Sequence, residues 1–151
     1  MNGPTHDNPH QPWPPPGTGP WMVASMALWT VVLAVKLYPF AFASAGAGGE
    51  GLLSLAARPG GTIAWQIALF VPLGVIEAQV ARRLLTGFSG ATLMLVVLDA
   101  GLLSLVGETA QWWLPARTSS IIDLAANAIG GVVGYLLCLH ISDLLGRRGR
   151  T

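Results

Sequence analysis

An all-α bundle of about four membrane-spanning helices is the fold class that this sequence predicts, and three observations predict it. Of the 151 residues, 52% are hydrophobic and only 10% are charged, against roughly 25% charged in an ordinary soluble domain. The apolar residues gather into four stretches, each close to the ~20 residues that a helical bilayer crossing needs. Most lysines and arginines fall between those stretches or after the last of them. A water-soluble enzyme core is therefore a poor fit. So is a nucleic-acid binder, because eight Lys+Arg against seven Asp+Glu leave a net charge of +1 and no basic block to grip phosphates. The lone cysteine, Cys138, excludes an intrachain disulfide, and three scattered histidines offer no structural zinc spacing. No metal and no cofactor is called for.

Residues 1–20 hold seven of the eleven prolines and three of the glycines. With little apolar content besides Met1 and Trp13, this stretch cannot bury enough surface to offset its ordering entropy. It reads as a disordered Pro/Gly-rich tail. It lacks the positive n-region of a secretory signal, so no cleavage is expected. A proline-reading partner is one use for such a tail, and a plain solvated tail is the simpler one.

The membrane domain is expected over residues 21–142, followed by a short basic tail over 143–151. The first span runs from about Trp21 to Phe42 and contains Lys36, which is expected to snorkel to an interface. The second covers about Gly61 to Ala81, with Pro72 and Glu77 inside it. Pro72 could open a kink and, with Gln66 and Glu77, line a polar path. The simpler reading makes Glu77 the polar end of that span. The third runs from about Gly90 to Leu114 and holds Asp99 and Glu108. The fourth runs from about Ile121 to Ile141. Arg82, Arg83, Arg147, Arg148 and Arg150 lie on one side, and Arg58, Arg117 and Lys36 on the other. By the distribution of positive charge, both termini are expected in the cytoplasm. Trp21 and the pair Trp112 and Trp113 suit the two interfacial aromatic belts.

Ionisable and amide side chains inside such spans are expensive, and they usually face the bundle interior. Glu108 and Gln111 are three apart and share a helix face, with Ser104 one turn deeper. The third helix should stop before Pro115, which has no N–H to continue it. Arg117 then lies in a short loop within reach of Glu108, either as a salt bridge closing the hairpin or as a cation for substrate. Ser120 and Asp123 have capping-box spacing for the fourth helix. Asn127, Gly130 and Gly134 continue the stripe from Asp123. Gly130 and Gly134 form a small-x-x-x-small seam for a neighbouring helix, and the amide of Asn127 needs a partner. The candidate site is Glu108, Gln111, Arg117, Asp123 and Asn127. Cys138 and His140 read as packing and interface residues.

These residues resemble a known family. The run from Gly107 to Thr118, Gly-Glu-Thr-Ala-Gln-Trp-Trp-Leu-Pro-Ala-Arg-Thr, followed by Asp123, Asn127, Gly130 and Gly134, is similar to the signature of VanZ-like membrane proteins. Phe70, Pro72 and Gly74 match that family's Phe-x-Pro-x-Gly, and Pro39-Phe40 fits more loosely. The resemblance covers roughly residues 30–140. One departure is Gln66, where an asparagine would be expected. The resemblance implies a compact bundle of about four helices in the bacterial inner membrane and a link to glycopeptide resistance, especially to teicoplanin. It also implies envelope polysaccharide as an alternative setting, and it carries over no catalytic residue. Besides membrane lipids, the implied partner is a lipid-linked glycan or peptidoglycan precursor, bound or modified at the outer leaflet. An accessory, scaffold or transport component is the alternative. Within that frame Phe70, Pro72, Gly74, Pro115, Gly130 and Gly134 are structural.

Overall fold

Among the described residues four helices form where the apolar stretches lie: α1 (Gly19–Leu37), α2 (Gly60–Leu84), α3 (Gly90–Gln111) and α4 (Ile121–Arg148). The computed structural model describes residues 14–38, 60–85, 87–114 and 120–148, with 60–62 and 146–148 described by their helical backbone alone. Each helix contains a segment long and apolar enough to cross a membrane. Large apolar side chains such as Val23, Met26, Leu102, Leu105, Ile129 and Leu136 are exposed on its outside. In water that surface would be an aggregation hazard, whereas against lipid it is the expected exterior.

Local chemistry sets the ends. α1 begins two residues before the expected span because Pro20 occupies its first turn, where a missing N–H costs nothing. Residues 1–13 of the expected tail lie outside the described residues, as do Pro39 and Phe40. Tyr38, which precedes Pro39, is already extended at φ −60° and ψ 134° and closes α1. Ser89 caps α3, its hydroxyl accepting the Thr92 N–H at 3.2 Å. At its far end α3 tightens, with Trp112, Trp113 and Leu114 each bonding three residues back, and the described chain stops before Pro115. α4 continues past the expected boundary to Arg148, so most of the expected basic tail is helical.

The helices alternate in direction. The beginnings of α1 and α3 and the ends of α2 and α4 share one end of the bundle, here called the terminal end. The chain segments 39–59 and 115–119 join helices at the opposite, loop end. α2 and α3 form the central pair. α1 lies against one side of that pair and α4 against the other, and α1 makes no packing contact with α4 among the described residues. Val32, Phe70, Leu73, Ala100 and Leu103 make one core cluster, while Ala78, Val96, Tyr135 and Cys138 make a second nearer the terminal end.

The tightest seam joins α2 and α4. A methyl group at Gly74 would strike the Gly131 carbonyl, one at Gly134 the Val71 carbonyl, and one at Gly130 would lie 2.7 Å from the Phe70 Cβ. Glycine is required at all three because backbone approaches backbone there. The expected small-residue seam is thus present, and its partner is α2. Pro72 lies inside α2 with its side chain exposed, away from buried Gln66, so it does not share a lining with that amide.

Candidate functional site

The loop end of the bundle concentrates the buried polar side chains. Glu108 projects from the last turn of α3 into a fully buried position. Its Oε1 pairs with the Lys36 Nζ at 2.7 Å, and its Oε2 accepts the backbone N–H of Ser120 at 2.9 Å. Lys36 is itself buried. It turns inward to the carboxylate and does not snorkel to an interface, which corrects the expectation for this residue. The reason is energetic: an unpaired buried carboxylate is costly, and a cation at hydrogen-bond distance offsets much of that cost.

Three neighbours shape the pair. The Lys36 stem crosses α3 at Gly107, where a methyl group would lie 2.8 Å from the lysine Cδ. The ammonium also sits 5.8 Å from the centre of the Phe70 ring, within range of a cation–π attraction. Gln111 donates from Nε2 to the Lys36 carbonyl at 3.4 Å. That bond ties the end of α3 to the end of α1.

The start of α4 completes the cluster. Ser120 caps it by accepting the Ile122 N–H at 3.2 Å. The reciprocal half of the expected capping box differs: the Ser120 N–H goes to Glu108 of α3 rather than to Asp123. Glu108 therefore acts as a cap supplied by another helix, and it fixes the α3–α4 corner. Asp123 and Asn127 are fully buried on the next two turns. The Asn127 Nδ2 donates to the Ser104 Oγ at 2.6 Å, which supplies the partner that the amide required. The Oδ1 of Asn127 and the Oε1 of buried Gln66 accept no hydrogen bond among the described residues.

The structure thus brings Glu108 and Gln111 together around Lys36, and joins Asn127 to Ser104. Arg117 and Pro115 lie outside the described residues, and so does the expected contact between Arg117 and Glu108. Sequence reasoning missed Lys36 and Gly107. A lysine inside an apolar stretch was a signal for the first, and a glycine directly before a glutamate was a signal for the second.

A separate polar group lies toward the terminal end. Ser25 donates to Glu77, and Trp29 donates from Nε1 to Asp99 at 3.0 Å. Glu77 is seven residues inside α2 and half-buried, so it does not simply end the span. Beside this group a cavity of about 330 Å³ is lined by Ser25, Met26, Trp29, Thr30, Leu33 and Asp99. Among the described residues no group of His, Cys, Asp and Glu is placed to hold a metal ion.

Neither a curated protein nor a solved structure matches the chain significantly. The VanZ/LLP1 family matches it over residues 17–143, which takes in α1, α2, α3, all but the last five residues of α4, and every described residue of the loop-end cluster. The chain belongs to the VanZ/LLP1 family.

Proposed function

We propose that this membrane protein serves the bacterial cell envelope by binding the anionic head of a lipid-linked glycan or peptidoglycan precursor, and that it thereby raises tolerance of teicoplanin-type glycopeptides. The observation that carries this reading is the gathering of Glu108, Gln111, Asp123 and Asn127 at the end from which the 115–119 segment leaves, in a bundle whose outer surface is apolar. In this reading Arg117 makes the anion contact, because a guanidinium fork matches phosphate and carboxylate oxygens. Glu108 is a positioning group, since its two oxygens already serve Lys36 and the Ser120 N–H. The distribution of positive charge supports a loop end at the outer leaflet and both termini in the cytoplasm.

The test is glycopeptide susceptibility in a sensitive host, with wild type and Arg117→Ala compared at equal membrane abundance. Raised teicoplanin tolerance that disappears in the variant is the expected outcome. An unshifted susceptibility with inserted wild-type protein overturns the resistance role.

A second reading rests on that same engagement of Glu108. In it the cluster is a structural clasp, and the protein is an accessory or scaffold of an envelope polysaccharide system. That reading expects Arg117→Ala to lower abundance before it changes any phenotype.

A further inference from the structure

The terminal end carries cations that neither reading uses. Arg82 and Arg83 occupy the last turn of α2. Among the described residues no carboxylate pairs with either: the first turns of α1 and α3, which meet this end, contain no acidic residue, and Asp143 near the end of α4 makes its interaction with another group. Aromatic rings hold them instead. The Arg82 guanidinium lies 5.5 Å from the centre of the Phe88 ring, and that of Arg83 lies 5.1 Å from the centre of the Trp21 ring.

A ring face attracts a cation but leaves the edge of a guanidinium, where its N–H groups lie, without an acceptor. Arg83 spends one Nη on Gln79, donating to its backbone carbonyl at 3.1 Å and its Oε1 at 2.9 Å. Its Nε and other Nη have no acceptor among the described residues. The Nε of Arg82 is buried with no hydrogen-bond partner among the described residues. Two oriented guanidiniums thus keep donors that no carboxylate of the described bundle answers. They stand in the last turn of an apolar helix, at the end of the bundle that all four helices reach, the position where arginines meet lipid headgroups when such a helix crosses a membrane.

We propose that Arg82 and Arg83 form a binding site for the phosphate of an anionic lipid headgroup at the terminal end of the bundle. Phosphate oxygens match the guanidinium fork, an anionic headgroup supplies the missing countercharge, and the two rings hold the forks ready before the lipid arrives. This site is independent of the loop-end reading and at the opposite face of the membrane.

The test uses the full chain purified in detergent, where the effect of these arginines on insertion direction plays no part. Native mass spectrometry compares retention of phosphatidylglycerol with that of phosphatidylcholine, with inorganic phosphate as a third probe. Wild type is expected to prefer phosphatidylglycerol by about 25-fold, at about fivefold per guanidinium. The variant Arg82→Gln/Arg83→Gln loses the preference, whereas Arg147→Gln/Arg148→Gln keeps it. If the first variant loses helicity, Arg82→Lys/Arg83→Lys replaces it and is expected to retain only part of the preference, because a lysine cannot bind bidentately. The site is overturned by a wild type without preference, by full preference in a helical Gln or Lys variant, or by a preference lost only with Arg147 and Arg148. Displacement of phosphatidylglycerol by millimolar inorganic phosphate overturns the lipid as the source of the anion.

Discussion

Lys36 and Glu108 stand 72 positions apart and meet at 2.7 Å with both side chains almost wholly buried. Removing one partner strands the other, at a cost of about 3–5 kcal/mol for buried pairs of this kind. Lys36→Met and Glu108→Leu should each destabilise the detergent-solubilised protein by about that amount, read by denaturant unfolding. The double variant should lose less than the two single losses together, with the Ser120 N–H still lacking its acceptor, and purely additive losses would show that the two residues do not act as a pair. The spacing of Glu108, Gln111 and Ser104 placed them on one buried face, and the isolation of the Asn127 amide called for a partner. Those features are local. The Lys36 partnership was not legible, because helix periodicity says which face a residue occupies and nothing about which distant helix covers it.

The elements are held by two different kinds of contact. α4 is seated on α2 through Gly74, Gly130 and Gly134, with no room for a side chain between the backbones. α1 is seated through a stripe of polar and aromatic side chains: Trp21 meets Arg83, Ser25 meets Glu77, Trp29 meets Asp99 and Lys36 meets Glu108. These positions recur every turn or two turns on one helix face. A methyl group at Gly134 should push α4 off α2, costing about 1–3 kcal/mol as overpacking does. Gly101, which has open space around it, is the control: Gly134→Ala should unfold earlier in denaturant and Gly101→Ala should not. The GxxxG spacing was visible in the sequence, but the choice of α2 as its partner was not. Gly74 is the residue that decides it, and a single glycine on the second span has no periodicity to announce it.

At the scale of the whole molecule, four apolar stretches and the polar or glycine-rich connections between them were enough to anticipate four helices that alternate in direction. Their ends were less legible, since Leu114 and Arg148 depend on an i−3 turn and on helix continuation past the apolar run. The proposed orientation makes a prediction of its own. Reporter domains fused to either end of the chain should both read as cytoplasmic, and one inserted in the 115–119 segment should read as external. Opposite readings at the two ends would be incompatible with four spans.

The clasp between α1 and α3 also has a consequence in time. The ribosome delivers Lys36 to the membrane 72 residues ahead of the carboxylate that neutralises it. A lysine at the centre of a lone inserting helix costs roughly 2.5–3.5 kcal/mol, and less in the last turn, where Lys36 lies. For that interval the first helix carries its charge without a partner, and the debt is cleared only when the third helix emerges. The bundle thus closes late, from a first helix that waits for the chain behind it.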